Sequence, residues 1–131
     1  MHRYMEVRKK ALGVKEMHVY DMHVSLVENA DLKLDYEDAY KLVLEGLAPL
    51  GKEYISLLKE GKEKGWIDVC ETEGKRSGAY SIGIYGNHPY VLLNYQKTTH
   101  DVFTIAHEIG HSLKSYFSNK NQQYAKCDYV I

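Results

Sequence analysis

The stretch DVFTIAHEIGHSLKSY, residues 101–116, decides much of the fold, because its apolar residues recur every three or four positions. Such spacing places them on one face of an α-helix. Thr98, followed by Asp101 three residues later, is a weaker form of the capping box that begins many helices. The sequence therefore predicts a helix that starts near Thr98 and buries the face carrying Val102, Ile105, Ala106, Ile109, Leu113 and Tyr116.

Inside this predicted helix, His107, Glu108 and His111 form the pattern HExxH. Residues four apart lie on the same face with Cβ atoms about 5–6 Å apart, so both imidazoles reach one ion, typically Zn²⁺. Glu108 flanks the metal, where it can take a proton from a zinc-bound water. The bare pattern arises by chance in roughly three of a hundred sequences of this composition. The prediction of His107 and His111 as metal ligands and Glu108 as catalytic therefore depends also on the buried helix around them.

A catalytic zinc needs a third protein ligand besides the two histidines. The longer pattern HExxHxxGxxH is excluded, because Lys114 and Phe117 occupy the positions of its glycine and last histidine. Asp128 is the only carboxylate that follows His111. Asp128 is either a substitute ligand or an acid of a solvated loop, and the residues alone leave both readings open.

The remainder of the chain predicts three more helices and one β-hairpin. Gly13 and Gly65 follow helix-forming runs, and the short β-prone runs are separated by a turn-forming GNH. The interval 14–34 has no helical periodicity and is interpreted as extended segments and loop. The predicted fold is mainly α with a small antiparallel β-hairpin: helices at 3–12, 35–47 and 49–65, and strands at 77–85 and 89–95.

Composition narrows the class of protein. With 131 residues, 44% of them hydrophobic, the chain suits one domain or a piece of one. A net charge of −1 provides no basic excess for nucleic acid or an anionic membrane surface. No apolar run has the length of a signal peptide or a membrane span, so a cytoplasmic protein is expected. Cys70 and Cys127 are isolated and are expected to be reduced.

Two blocks of the sequence carry a family resemblance. GKRSGAYSIGIYGNHPYVLLNY (74–95) and DVFTIAHEIGHSLKSYFSNKNQ (101–122) resemble the oligoendopeptidase F branch of the thimet oligopeptidase family, and a looser likeness extends to YMEVRKKALG (4–13) and YDMHVSLV (20–27). That family consists of mainly helical, cytosolic zinc endopeptidases, several times longer than this chain, which cleave short peptides inside a deep cleft. Lys114 replaces a histidine that is common there but is not a ligand.

The resemblance also implies where the third ligand lies. In the family it is a glutamate on the helix after the loop that reads NKNQQYAKCDYVI (119–131) here, and this chain stops before that helix. Residues 1–131 are therefore expected to be a partial catalytic domain, an incomplete zincin-like core truncated before the third ligand. Zinc binding by this chain alone is then expected to be weak or absent.

The implied function is a zinc-dependent endopeptidase that hydrolyses oligopeptides through a zinc-bound water activated by Glu108. Zinc peptidases commonly bind substrate as an added strand at a sheet edge, and Gly78, Ala79 and Tyr80 supply small residues at such a place. The alternative reading of Gly78 is an ordinary strand glycine at a bulge. The alternative function is a non-catalytic, metal-poor scaffold that self-associates through exposed apolar surface.

Overall fold

The computed structural model describes residues 1–27 and 33–127. The chain divides into two compact units, Met1–Asp31 and Leu32–Ile131. The prediction of a mainly helical protein is confirmed. The helices and strands are α1 (His2–Leu12), α2 (Tyr36–Gly46), α3 (Lys52–Glu63), β1 (Ile67–Asp68), β2 (Tyr80–Ile82), β3 (Tyr90–Leu92) and α4 (Thr99–Asn121), with short 3₁₀ helices at Val19–His23, Ala48–Leu50 and Tyr124–Lys126.

The first unit is organised around a buried arginine. Helix α1 ends at Gly13, whose φ of 67° is left-handed, as the sequence predicted. Arg8 donates from Nε (3.1 Å) and from its guanidinium nitrogen (2.9 Å) to the carbonyl oxygen of Asp21, and it also reaches that of Val24. Asp21 lies in the 3₁₀ helix Val19–His23, and Val24 is its C-terminal capping residue. The prediction of extended structure was therefore wrong at Val19–His23, and positions 28–32 of that interval lie outside the described residues.

Helices α2 and α3 begin the second unit. The sequence placed Pro49 in the first turn of the helix that became α3, but Pro49 lies in the separate 3₁₀ turn and α3 starts at Lys52. The break occurs at Gly51, because its φ of 102° cannot continue a helix. The Tyr40 hydroxyl of α2 donates to the carbonyl oxygen of Leu58 in α3 over 2.8 Å, which joins the two helices.

The predicted hairpin is present, but the sheet is larger than a hairpin. Strands β2 and β3 pair antiparallel, with Tyr80 opposite Leu92. Strand β1 pairs parallel with the other side of β3, so the sheet is mixed and has the order β1-β3-β2. A two-residue strand is too short to show periodicity, which is why the sequence predicted only an antiparallel hairpin. The amide of Val91 donates to the carbonyl of Trp66 over 2.9 Å and helps hold β1 in place.

Helix α4 packs against α2, α3, β2 and β3, so it lies at the centre of the second unit. Its predicted apolar face is buried at Val102, Ile105, Ile109 and Leu113. Within residues 1–27 and 33–127, no helix is long and apolar enough to cross a bilayer. The core combines this face with the buried apolar residues of the neighbouring elements, which are Ala39, Tyr40, Val43, Leu57, Leu58, Val91 and Leu93.

Candidate active site

A capping box fixes the position at which α4 begins. The Thr98 hydroxyl accepts a hydrogen bond from the amide of Asp101 over 3.2 Å, and the Asp101 carboxylate accepts one from the amide of Thr98 over 2.9 Å. The same carboxylate accepts a bond from the amide of Gln96 over 3.0 Å. Because both helix end and preceding loop are tied to Asp101, the side chains of the following turns have a defined position relative to β3.

The imidazoles of His107 and His111 face each other across one turn of α4. Their Nε2 atoms are 2.9 Å apart, and their rings are nearly perpendicular at 86°, with centroids separated by 4.5 Å. Two nitrogen ligands of a tetrahedral zinc, each about 2.0–2.1 Å from the metal, lie about 3.3 Å apart. The observed spacing is close to that value, so the pair fits two positions of a zinc site.

The third position is not filled by the residues that the structure describes. Within residues 1–27 and 33–127, no group of three or more histidine, cysteine, aspartate or glutamate side chains is arranged to hold a metal ion. Asp128, the acid that the sequence left as an alternative ligand, lies outside the described residues. The described part of the chain therefore contains two histidines of a metal site that needs at least one more ligand.

Glu108 is the buried carboxylate of the site. Glu108 is only 8% exposed, whereas the preceding residue, His107, is exposed to solvent. Burial of a carboxylate is costly unless the carboxylate is paired or binds a metal ion. Glu108 lies in the wall of a cleft, beside His107, where it can contact a molecule that enters the cleft.

The cleft has a volume of about 750 Å³ and is lined by residues next to the sheet and by residues of the first turns of α4. Gly78 and Ala79, which the sequence predicted to bind substrate, share its wall with His107 and Glu108. Tyr80, the third predicted residue, begins β2 and does not line the cleft, and neither does His111. The full wall comprises Glu71, Ser77, Gly78, Ala79, Leu93, Asn94, Tyr95, Gln96, His100, Asp101, Phe103, Thr104, Ile105, His107 and Glu108.

Several of these residues were missed by sequence reasoning. Phe103 and Thr104 lie four and three positions before His107, so the helical periodicity already contained a signal for them. Asn94 and Gln96 lie two and four residues after strand β3, and polar residues beyond a strand end are a weaker signal. Only the packing of β3 beside α4 places them in the cleft.

Small residues bring β2 close to α4. The hydroxyls of Ser81 and Ser112 are 2.7 Å apart. A Cβ atom added to Gly83 would lie 2.6 Å from the Cβ of Ser115, so this position has no room for a side chain. One turn further along α4, the Asn119 amide donates to the carbonyl of Ile84 over 3.1 Å. The contacts at Ser81 and Gly83 set the separation between the segment containing Gly78 and the helix containing His107.

Comparison with known proteins shows the family of the chain. All residues, 1–131, match the model of peptidase family M3. The chain belongs to this family, and the resemblance noted in the sequence is confirmed.

Named relatives refine this assignment. The chain is 50% identical over 131 residues to Oligopeptidase PepF of Bacillus subtilis (strain 168) and 49% identical to an Oligoendopeptidase F homolog of Lactococcus lactis subsp. lactis. Both alignments include the whole of this chain but only 20% and 22% of the relatives' sequences. The chain therefore spans about a fifth of their length. A crystal structure of a peptidase from Chlamydophila abortus superposes with a TM-score of 0.83 at 45% identity, over 99% of this chain and 22% of that one.

Proposed function

We propose that these 131 residues form part of the catalytic domain of a zinc-dependent endopeptidase that hydrolyses oligopeptides. The observation that carries the proposal is the shared cleft, in which Glu108 and His107 lie beside Gly78 and Ala79. His111 is within 2.9 Å of His107 and completes a pair of facing imidazoles. Membership of peptidase family M3 and the names of the relatives support a peptidase.

In this proposal His107 and His111 hold the zinc ion, and a further ligand comes from outside the described residues. Zinc, when bound, lowers the pKa of a water to about 7, which makes a nucleophile available near neutral pH. The exposed position of His107 leaves its imidazole accessible from the cleft. Neutral imidazoles are required for binding, so metal affinity is expected to fall in acid.

Glu108 moves the proton in this proposal. Its carboxylate takes a proton from the water that attacks the peptide carbonyl carbon and delivers it to the amide nitrogen as the C–N bond breaks. The carboxylate is suited to this because Glu108 lies in the wall of the cleft beside His107. Water adds across one peptide bond, and the products are a carboxylate and a protonated amine.

The peptide is proposed to bind in extended form along the segment 78–80. Gly78 and Ala79 have small side chains, so a substrate backbone can approach theirs closely. Tyr80 begins β2, which is an edge strand because the sheet order is β1-β3-β2. An edge strand has one row of backbone groups available for a further strand.

The test uses a polypeptide of the relatives' length that contains these 131 residues, called the full-length enzyme below. Glu108→Gln is expected to lower kcat for a quenched peptide by about 10²–10⁴-fold, because the general base is lost. Zinc content, measured by elemental analysis, is expected to stay at the unsubstituted level. Glu53→Gln, at an exposed position of α3, is the matched control and is expected to keep full activity.

Three outcomes contradict this assignment. Full activity in Glu108→Gln, or undiminished activity after removal of metal by a chelator, would exclude the proposed chemistry. Loss of zinc together with activity in Glu108→Gln would instead make Glu108 a ligand.

For the 131-residue chain alone, the second candidate is a non-catalytic, metal-poor protein that self-associates. Two observations favour it: no three-residue metal cluster is present within residues 1–27 and 33–127, and large apolar residues are exposed, such as Val19 (83%) and Phe103 (70%). Calorimetric titration with zinc is expected to show weak binding, and sedimentation to show oligomers. Tight one-to-one binding that Asp128→Ala abolishes would make Asp128 the third ligand.

A further inference from the structure

Asn94 makes two hydrogen bonds that do not involve His107, His111 or Glu108. It lies two residues beyond β3, in the wall of the cleft. Its Nδ2 atom is 2.9 Å from the carbonyl oxygen of Arg76 and 2.8 Å from that of Gly78. Because both partners are acceptors, the atom between them has to be the amide nitrogen, which carries two hydrogens.

These bonds continue the sheet at a point where its backbone ladder ends. The last antiparallel pair toward the cleft is Tyr80 with Leu92, and the chain bends at Ser77 and Gly78 just before β2. Gly78 has a φ of 92°, which takes its backbone out of the strand conformation. The side chain of Asn94 therefore supplies hydrogen bonds to the backbone at residues 76 and 78, in place of the backbone amides that pair with β2.

The remaining atom of the side chain is informative. Asn94 Oδ1 is buried and has no hydrogen-bond partner. A buried acceptor without a donor costs free energy, so an apolar side chain of similar shape would avoid a penalty that the amide carries. The two hydrogen bonds to residues 76 and 78 offset that penalty, and they depend on the amide nitrogen of the asparagine.

We propose that Asn94 is a positioning residue, which holds the backbone of Ser77–Ala79 in the cleft wall where an extended peptide is bound. The inference rests on the proposed peptidase function. Asn94 acts through the segment, not on the reacting atoms, because its own Oδ1 is inaccessible and its Nδ2 is occupied by two protein carbonyls. A wall fixed before substrate arrives reduces the ordering cost of binding.

A nearly isosteric substitution tests the idea. Asn94→Asp keeps the shape but places an acceptor against two carbonyl oxygens, and Asn94→Leu removes the donor together with the unpaired acceptor. Asn119→Asp is the matched control, because Asn119 also donates to a backbone carbonyl beside the hairpin but does not line the cleft.

In the full-length enzyme both Asn94 variants are expected to raise KM for a quenched peptide about tenfold and to leave kcat within about twofold. The reason is that the substrate and the transition state are expected to lose the same amount of binding free energy. In the 131-residue chain, hydrogen exchange of the amides of 76–80 is expected to become about tenfold faster, with the exchange of α4 unchanged. Asn119→Asp is expected to change neither KM nor exchange at 76–80.

The outcomes separate this inference from the proposed function. An active unsubstituted enzyme whose two Asn94 variants keep both KM and the exchange of 76–80 would overturn the positioning role alone. A fall in kcat at constant KM, with uniformly faster exchange, would show general destabilisation and would also overturn it. An unsubstituted full-length enzyme without peptidase activity would contradict the proposed function and remove the basis for the inference.

Discussion

The two sides of helix α4 differ in their surroundings: one side is buried in the core, and the other borders the cleft. The buried side packs Ile105, Ile109 and Leu113 into the core, where each is at most 3% exposed. On the cleft side, His107 is exposed and Glu108 lines an open cavity. The comparison teaches that the two sides of one helix differ in what they contribute. Packing of the buried side stabilises the fold, whereas polar side chains on the cleft side can contact a bound molecule.

The largest difference between the two sides is expected from truncation of the side chain. Leu113→Ala, on the buried side, is expected to lower the free energy of unfolding by about 2–5 kcal/mol, because it leaves a cavity in the core. His107→Ala, on the cleft side, is expected to change it by about 0.5 kcal/mol or less, because the residue is exposed. Urea unfolding of the metal-free chain measures both values, and equal losses would break the comparison.

A smaller effect is expected where α4 meets the segment after β2. Gly83→Ala is expected to destabilise by about 1–3 kcal/mol, since its new Cβ would lie 2.6 Å from the Cβ of Ser115. Gly110 lies on α4 between the two histidines and has open space around it. Gly110→Ala is therefore the matched control and is expected to stabilise by about 0.5–1 kcal/mol through helix propensity.

Thermal unfolding of the two glycine variants decides this point. A Gly83→Ala protein as stable as the unsubstituted chain would mean that the spacing between the hairpin and α4 can relax. The contacts of Ser81 and Ser112 would then not define the position of the cleft wall.

The smallest effect at neutral pH is expected for Tyr40→Phe in α2, which packs against α4. It removes the hydrogen bond to the carbonyl of Leu58 and is expected to cost about 0.5–1.5 kcal/mol. Burial raises the pKa of Tyr40 well above that of a free phenol, and burial together with the neighbouring Tyr40 and Glu37 raises that of Tyr36.

The pH dependence sharpens this last prediction. Above about pH 10 the unfolded chain releases phenolic protons that the folded chain keeps, so stability is complete below about pH 10 and falls as pH rises further. Tyr40→Phe is expected to make the alkaline decline shallower, as measured by urea unfolding at several pH values between 9 and 11. An unchanged slope would mean that Tyr40 does not contribute to the decline.

Local patterns in the sequence were sufficient to predict the long helix and its facing histidines. The capping residues Thr98 and Asp101 and the apolar spacing of Ile105, Ile109 and Leu113 act within a few turns of one helix. The facing of His107 and His111 likewise follows from a separation of four residues. Each of these features depends on near neighbours in the chain, so periodicity could predict them.

Contacts between distant residues had no such signal. Strand β1 is only two residues long, and its parallel pairing with β3 joins Ile67 to Val91. Asn94 reaches Arg76 and Gly78, and Gly83 lies against Ser115, at separations that no periodic pattern records. Tyr80 was predicted with Gly78 and Ala79, but pairing with Leu92 places it in the strand and outside the cleft wall.

The sequence by itself determined the helix α4, its HExxH pattern and the resemblance to a peptidase family, because these reside in local spacing and in residue identity. Only the tertiary structure decided that Gly78, Ala79 and Asn94 meet Glu108 and His107 in one cleft. The physical reason is that the cleft forms where β2 and β3 pack beside α4, and that packing depends on close contacts between segments far apart in the chain.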